Sequence, residues 1–159
     1  MAIGQGYVVV TPVQVARMVS AVANGGTLVA PRLARRVLAP DGSEVRSYAP
    51  VTTGRLDVQP ESLVTLREAL RMVVESGTGT AAAVPGLAIA GKTGSAENPR
   101  GIPHAWFAGY APADRPALVV VAFVEHGFRG GVTAAPIAKA LFAAAQQALL
   151  AASPDGVRP

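Results

Sequence analysis

Cysteine is absent from the 159 residues, which excludes disulfides and thiolate metal sites without fixing a compartment. The two histidines, His104 and His126, lack metal-ligand spacing, and no metal or cofactor is expected. Aromatic residues are only 5% of the chain and none interleaves with arginine as a base-stacking platform would, so no nucleic-acid partner is expected. Lysine is scarce as well. Twelve arginines and two lysines give a formal charge of +4, and the arginines are scattered, which reads as solvated faces. Long hydrophobic runs are missing: the longest, Ala117 to Val124, falls far short of the ~20 residues that span a bilayer. No signal peptide is recognised at the start, so any anchor is expected outside this chain. Ser-x-x-Lys and Ser-x-Asn are also absent. Ser20, Ser43, Ser47, Ser62, Ser76, Ser95 and Ser153 all lack a lysine three residues on. A serine nucleophile needs an activating base, and no serine here carries that local pairing.

What is present suits one compact domain, because half of the residues are hydrophobic. Thr11-Pro12-Val13-Gln14 reads as a capping box with proline at the first helical position. Val15, Met18, Val19 and Val22 then form one apolar stripe, and Asn24-Gly25-Gly26 stops the helix. Thr27 to Leu38 reads as extended, broken at Pro31, with a hairpin signal at Asp41-Gly42. A second helix is predicted from Pro60-Glu61 to Ser76-Gly77, with Leu63, Leu66, Leu70 and Val73 at helical spacing. Three strands follow, Leu87–Lys92, Ala105–Tyr110 and Ala117–Val124; their short links predict an antiparallel meander. A last helix from near Pro136 would lay Ile137, Leu141, Ala145, Ala148 and Leu149 on the sheet. The class is α+β: a meander sheet flanked by helices.

Gly86 to Thr93 matches the phosphate-loop pattern G-x-x-x-x-G-K-[ST] letter for letter. A phosphate loop must open a helix, and Gly94, Pro99, Gly101 and Pro103 would not sustain one. The alternative keeps Lys92-Thr93-Gly94 on a strand. Thr93 and Ser95 then share a face, where two hydroxyls can hold a carboxylate. Lys92 can reach round on its long stem, and Gly94 lets a peptide backbone come close, as an added strand. The Ser95 N–H can hold a developing oxyanion.

Here the chain resembles a family. Lys92-Thr93-Gly94 is the third signature of penicillin-binding proteins and serine β-lactamases. Other blocks resemble class B, monofunctional penicillin-binding proteins: Ala2 to Gly6, Thr11-Pro12-Val13-Gln14 through Gly26, Gly77-Thr78-Gly79-Thr80-Ala81, Gly91 to Ala96, and His104 to Pro112. The order is collinear with the C-terminal half of that family's transpeptidase domain, closest to its elongation-type branch. The resemblance implies the penicillin-binding/serine β-lactamase-like fold and an extracytoplasmic place in the bacterial envelope. It implies a peptidoglycan D,D-transpeptidase whose serine attacks the stem peptide's D-Ala-D-Ala and passes the acyl group to a neighbouring amine; β-lactams trap that serine. Lys92 would supply positive potential and join the proton relay. Thr93, Gly94 and Ser95 would bind the substrate carboxylate end, and the Ser95 N–H would share the oxyanion hole.

The family's nucleophile lies upstream of the Gly4-Gln5-Gly6 block, so residues 1–152 are expected to be the C-terminal portion of the domain, inactive alone, with 153–159 a frayed tail. A non-catalytic peptide-binding module, or one that docks to a separate half, is the alternative. Simpler roles are expected for the remaining polar and aromatic residues. His104 reads as a hydrogen-bonded structural residue, Trp106, Phe107 and Tyr110 as core and groove wall, and Gln5 as support for tight backbone packing. Glu97 and Asn98 fit a substrate contact and a turn after the strand equally well, and Glu125-His126 reads as a solvated strand end. Without the missing helix, sheet-side apolar surface should be exposed.

Overall fold

A computed structural model describes residue 5, residues 8–99 and residues 101–151; the expected tail from residue 153 lies outside them. The first helix, α1 (Pro12–Ala23), starts as its sequence dictates. Thr11 Oγ1 accepts from Gln14 N at 3.3 Å and Gln14 Oε1 accepts from Thr11 N at 2.7 Å. Such a cap contributes about 1 kcal/mol. Gly25 and Gly26, both at positive φ, turn the chain out of the helix. The stripe differs from expectation at Met18, which is 55% exposed, while Ala21 and Ala23 are buried with Val19 and Val22.

The extended region resolves into two small antiparallel ribbons. Strand β1 (Thr27–Val29) pairs with β4 (Thr52–Arg55), and β2 (Arg36–Leu38) pairs with β3 (Glu44–Ser47). Arg17 fastens α1 to the first ribbon, donating to Val29 O at 3.1 Å and to the Thr53 hydroxyl. In the β2–β3 turn, Asp41 accepts from the Ser43 hydroxyl at 2.7 Å and from the Ser43 amide at 3.0 Å, which holds its carboxyl below the usual range.

Helix α2 (Pro60–Glu75) has Glu61 in its first turn, where the helix dipole favours an acid. Its buried residue is Val74 rather than Leu66, which is 42% exposed. A 3-10 turn at Thr80–Ala82 leads to the main sheet, whose order is β5 (Ala90–Asn98), β6 (Gly101–Ala111), β7 (Leu118–Val124), all antiparallel. The meander is as expected, with shifted bounds. Leu87 and Ile89 are buried ahead of the strand, after a bend at Gly86, and Glu97-Asn98 continue β5 instead of forming the turn. A π-helical turn at Gly130–Ala134 runs into α3 (Ala135–Ala151).

Pairing register sorts the sheet into two faces. Ala105, Phe107, Ala111, Val120 and Ala122 join Ala134, Ala135, Ala138, Phe142 and Leu149 in one core. The expected α3 stripe holds at Ala145 and Leu149, but Ile137, Leu141 and Ala148 are exposed, and the small residues Ala135 and Ala138 let the helix approach closely. On the other face, α1 brings Val19 and Ala23 onto Ala90, Tyr110 and Ala113. Among the described residues, no helix is long and apolar enough to cross a membrane.

Candidate functional site

Strand β5 is an edge of the sheet, so half of its backbone groups face outward. The Glu97 amide does so, donating to Gln5 Oε1 at 2.9 Å. Alternation places the amides of Thr93 and Ser95 on that same edge. Gln5 thus caps the end of the edge with its side chain, a more specific role than backbone packing.

Thr93 and Ser95 are paired with Phe107 and Ala105, so their side chains share the α3 face, as the strand period requires. Both hydroxyls are engaged from behind. Thr93 Oγ1 lies 2.8 Å from Thr78 Oγ1, and Ser95 Oγ accepts from Gly130 N at 3.3 Å. Lys92 belongs to the opposite face, paired with Ala108, yet its Nζ donates to Thr93 O at 2.8 Å. Thr93 O faces the edge like the Thr93 amide, so the long stem does carry the ammonium round to it. Gly94, paired with Trp106, presents no side chain; a Cβ there would lie 3.3 Å from Trp106 Cβ. The structure therefore brings Lys92, Thr93, Gly94 and Ser95 to one open edge.

The phosphate-loop reading fails on this geometry. Lys92 and Thr93 sit inside a paired strand that runs on to Asn98, so no helix N-terminus follows them.

Two participants carry no assigned role in the sequence reading: Thr78 and Gly130. The Gly130 backbone lies so tightly on the sheet that a Cβ would sit 2.3 Å from Trp106 O and 2.5 Å from Gly94 O. The doublet Gly130-Gly131 is the local signal of that close approach. The loop delivering it is tied down by His126 N donating to His104 Nδ1 at 3.0 Å and Phe128 N donating to Pro103 O at 2.9 Å. His104 is the structural residue expected. Glu125 and His126 are exposed just past the end of β7, as expected; His126 also adopts positive φ, and its Nδ1 lies 3.2 Å from Ile102 O.

Comparison with known proteins finds the chain similar to one family. The model of the penicillin-binding protein transpeptidase domain matches residues 1–143. The peptidoglycan D,D-transpeptidase PbpA of Mycolicibacterium smegmatis is 38% identical over 152 residues, covering 90% of this chain and 30% of the relative. The peptidoglycan D,D-transpeptidase MrdA of Acinetobacter baumannii is 34% identical over 157 residues, covering 89% and 23%. Among solved structures, the imipenem acyl-enzyme complex of penicillin-binding protein A from M. tuberculosis superposes with a TM-score of 0.81 at 34% identity, covering 92% of this chain and 33% of that one. The chain thus spans less than a third of the length of these curated relatives.

Proposed function

This chain belongs to the transpeptidase family of penicillin-binding proteins, and from that premise we propose that it carries the carboxylate-binding and oxyanion-holding part of a peptidoglycan D,D-transpeptidase site. One observation carries the reading. The hydroxyls of Thr93 and Ser95 share one face of an unpaired edge strand, and the ammonium of Lys92 is carried round from the other face to Thr93 O on that strand.

The donors suit a terminal carboxylate, and membership of the family supplies the peptide that bears it. A peptide ending in D-Ala-D-Ala lies along β5, its terminal carboxylate on the Thr93 and Ser95 hydroxyls, its backbone close over Gly94. A serine from a Ser-x-x-Lys segment, which this sequence does not contain, attacks the penultimate D-Ala carbonyl. The carbonyl oxygen becomes an oxyanion and takes the Ser95 N–H; the terminal D-Ala leaves with a proton on its amine. A neighbouring stem's amine then displaces the serine. Lys92 contributes positive potential at the carboxylate end and takes part in moving the proton. The mature site works on the outer side of the bacterial plasma membrane, where its substrate is.

Fluorescent penicillin tests this. The chain alone should take no covalent label, and the label should appear once a Ser-x-x-Lys-bearing transpeptidase segment is joined upstream. Lys92→Ala in the joined protein should slow labelling by about 10²–10³, the size expected for loss of one preorganised electrostatic group. An unlabelled joined protein, or a Lys92→Ala variant labelling at the parent rate, would overturn the proposal.

A further inference from the structure

A hydroxyl carries one proton and two acceptor positions, so a free Thr or Ser serves equally well as donor or acceptor. An anion receptor needs donors only. At this edge each hydroxyl is met from behind by another group. For Ser95 the donor is unambiguous: the Gly130 N–H fills an acceptor position on Ser95 Oγ, leaving the Ser95 proton to point elsewhere. For Thr93 the neighbour is another hydroxyl, Thr78 Oγ1 at 2.8 Å, and either can donate. A carboxylate settles the direction. Thr93 gives its proton to the anion, and Thr78 gives its own to Thr93, each bond strengthening the other.

Thr78 is held in place for this by backbone alone. Gly77 N and Gly79 N both donate to Val73 O, at 3.2 and 2.9 Å. A Cβ on Gly77 would lie 2.9 Å from Val73 Cα, and one on Gly131 would lie 2.6 Å from Thr78 O. The residue is exposed, so burial does not account for its hydroxyl.

We infer that Thr78 is a positioning residue that commits Thr93 to donating, so that Thr78 and Gly130 together make this edge select a terminal carboxylate over a carboxamide. A carboxamide presents an NH2 where the two committed hydroxyls offer only protons, and the Thr93 carbonyl at the edge already accepts from Lys92, so that mismatch is the source of the selectivity. The inference rests on the carboxylate-binding reading above and names what enforces it.

The test uses the full chain and two probes, acetylated D-Ala-D-Ala and the same dipeptide ending in a carboxamide. Both are titrated by NMR on the Thr93 and Ser95 amides. The parent chain should prefer the carboxylate. Thr78→Val should shrink that preference about three- to tenfold, the usual size of one hydrogen bond, with carboxamide binding unchanged. Thr78→Ser should restore it, and should Thr78→Val fail to fold, Thr78→Ala reads the same ratio. A parent chain without preference would overturn the carboxylate reading itself. Preference intact in the parent and undiminished in Thr78→Val would overturn the role of Thr78 alone. Equal weakening of both probes would reduce Thr78 to a structural tie and overturn that role as well.

Discussion

One face of the β5–β7 sheet meets α3 and seals Ala105, Phe107, Ala111 and Ala122 from solvent; among the described residues the other is covered at one end, by α1 and by Leu70 of α2. On that second face Trp106 and Phe123 stack at 4.2 Å, with His104 5.6 Å from Phe123, all of them half-buried. The proposed site draws on both faces. Its hydroxyls belong to the sealed face, where Thr78 and Gly130 fix them; its lysine stem belongs to the open face, where Lys92 is exposed. Precise donor geometry therefore comes from the side that is already packed, and a mobile charge comes from the side that is not.

The largest test of this contrast is in the core. Phe107 is fully buried and its ring occupies the bed left by Gly91, where a Cβ would come within 2.6 Å of Phe107 Cζ. Phe107→Ala should cost about 3–5 kcal/mol in denaturant unfolding, the usual range for a buried Phe. Phe123→Ala, on the open face, should cost less than about half of that, since its ring is already partly hydrated. Equal losses would break the comparison.

Association gives a second, smaller effect. Trp106 and Phe123 form an apolar patch continuous with Val121 on the same face. Sedimentation should show the chain self-associating in the micromolar range, and Phe123→Lys should shift it toward monomer. A parent chain that is monodisperse across that range would show that the open face is already adequately solvated.

The sequence made the strand meander legible because β5, β6 and β7 have short links and apolar registers. It made α1 legible because Thr11, Pro12 and Gln14 are local signals whose bonds close within one turn. Lys92, Thr93 and Ser95 could be placed on one strand for the same reason: alternation is a property of neighbours. What could not be read depends on distant partners. Val74 takes the core place expected of Leu66 where α2 packs on the sheet, and α3 turns Ala138 and Phe142 inward in place of Ile137 and Leu141. The pairing of β1 with β4 spans the intervening hairpin. Thr78 reaches Thr93 across fifteen residues, and Gly130 reaches Ser95 across thirty-five; no local pattern encodes either contact.

The smallest expected effect concerns the covered end of the second face. Tyr110 is fully buried under α1, and among the described residues its hydroxyl is the one buried side-chain polar atom without a protein partner. On the sealed face every large buried side chain is hydrocarbon, Phe107 and Phe142 included. A buried hydroxyl that bonds to protein contributes roughly 1 kcal/mol, whereas one without such a partner has no bond to lose and a desolvation cost to recover. Tyr110→Phe should therefore leave the unfolding free energy within about 1 kcal/mol of the parent or raise it. The same measurement on Thr11→Ala, which removes a cap that does bond, should lower it by about 1 kcal/mol. A clear loss in Tyr110→Phe would mean that the hydroxyl bonds in solution, and that the α1 end of the second face is as fully satisfied as the α3 side.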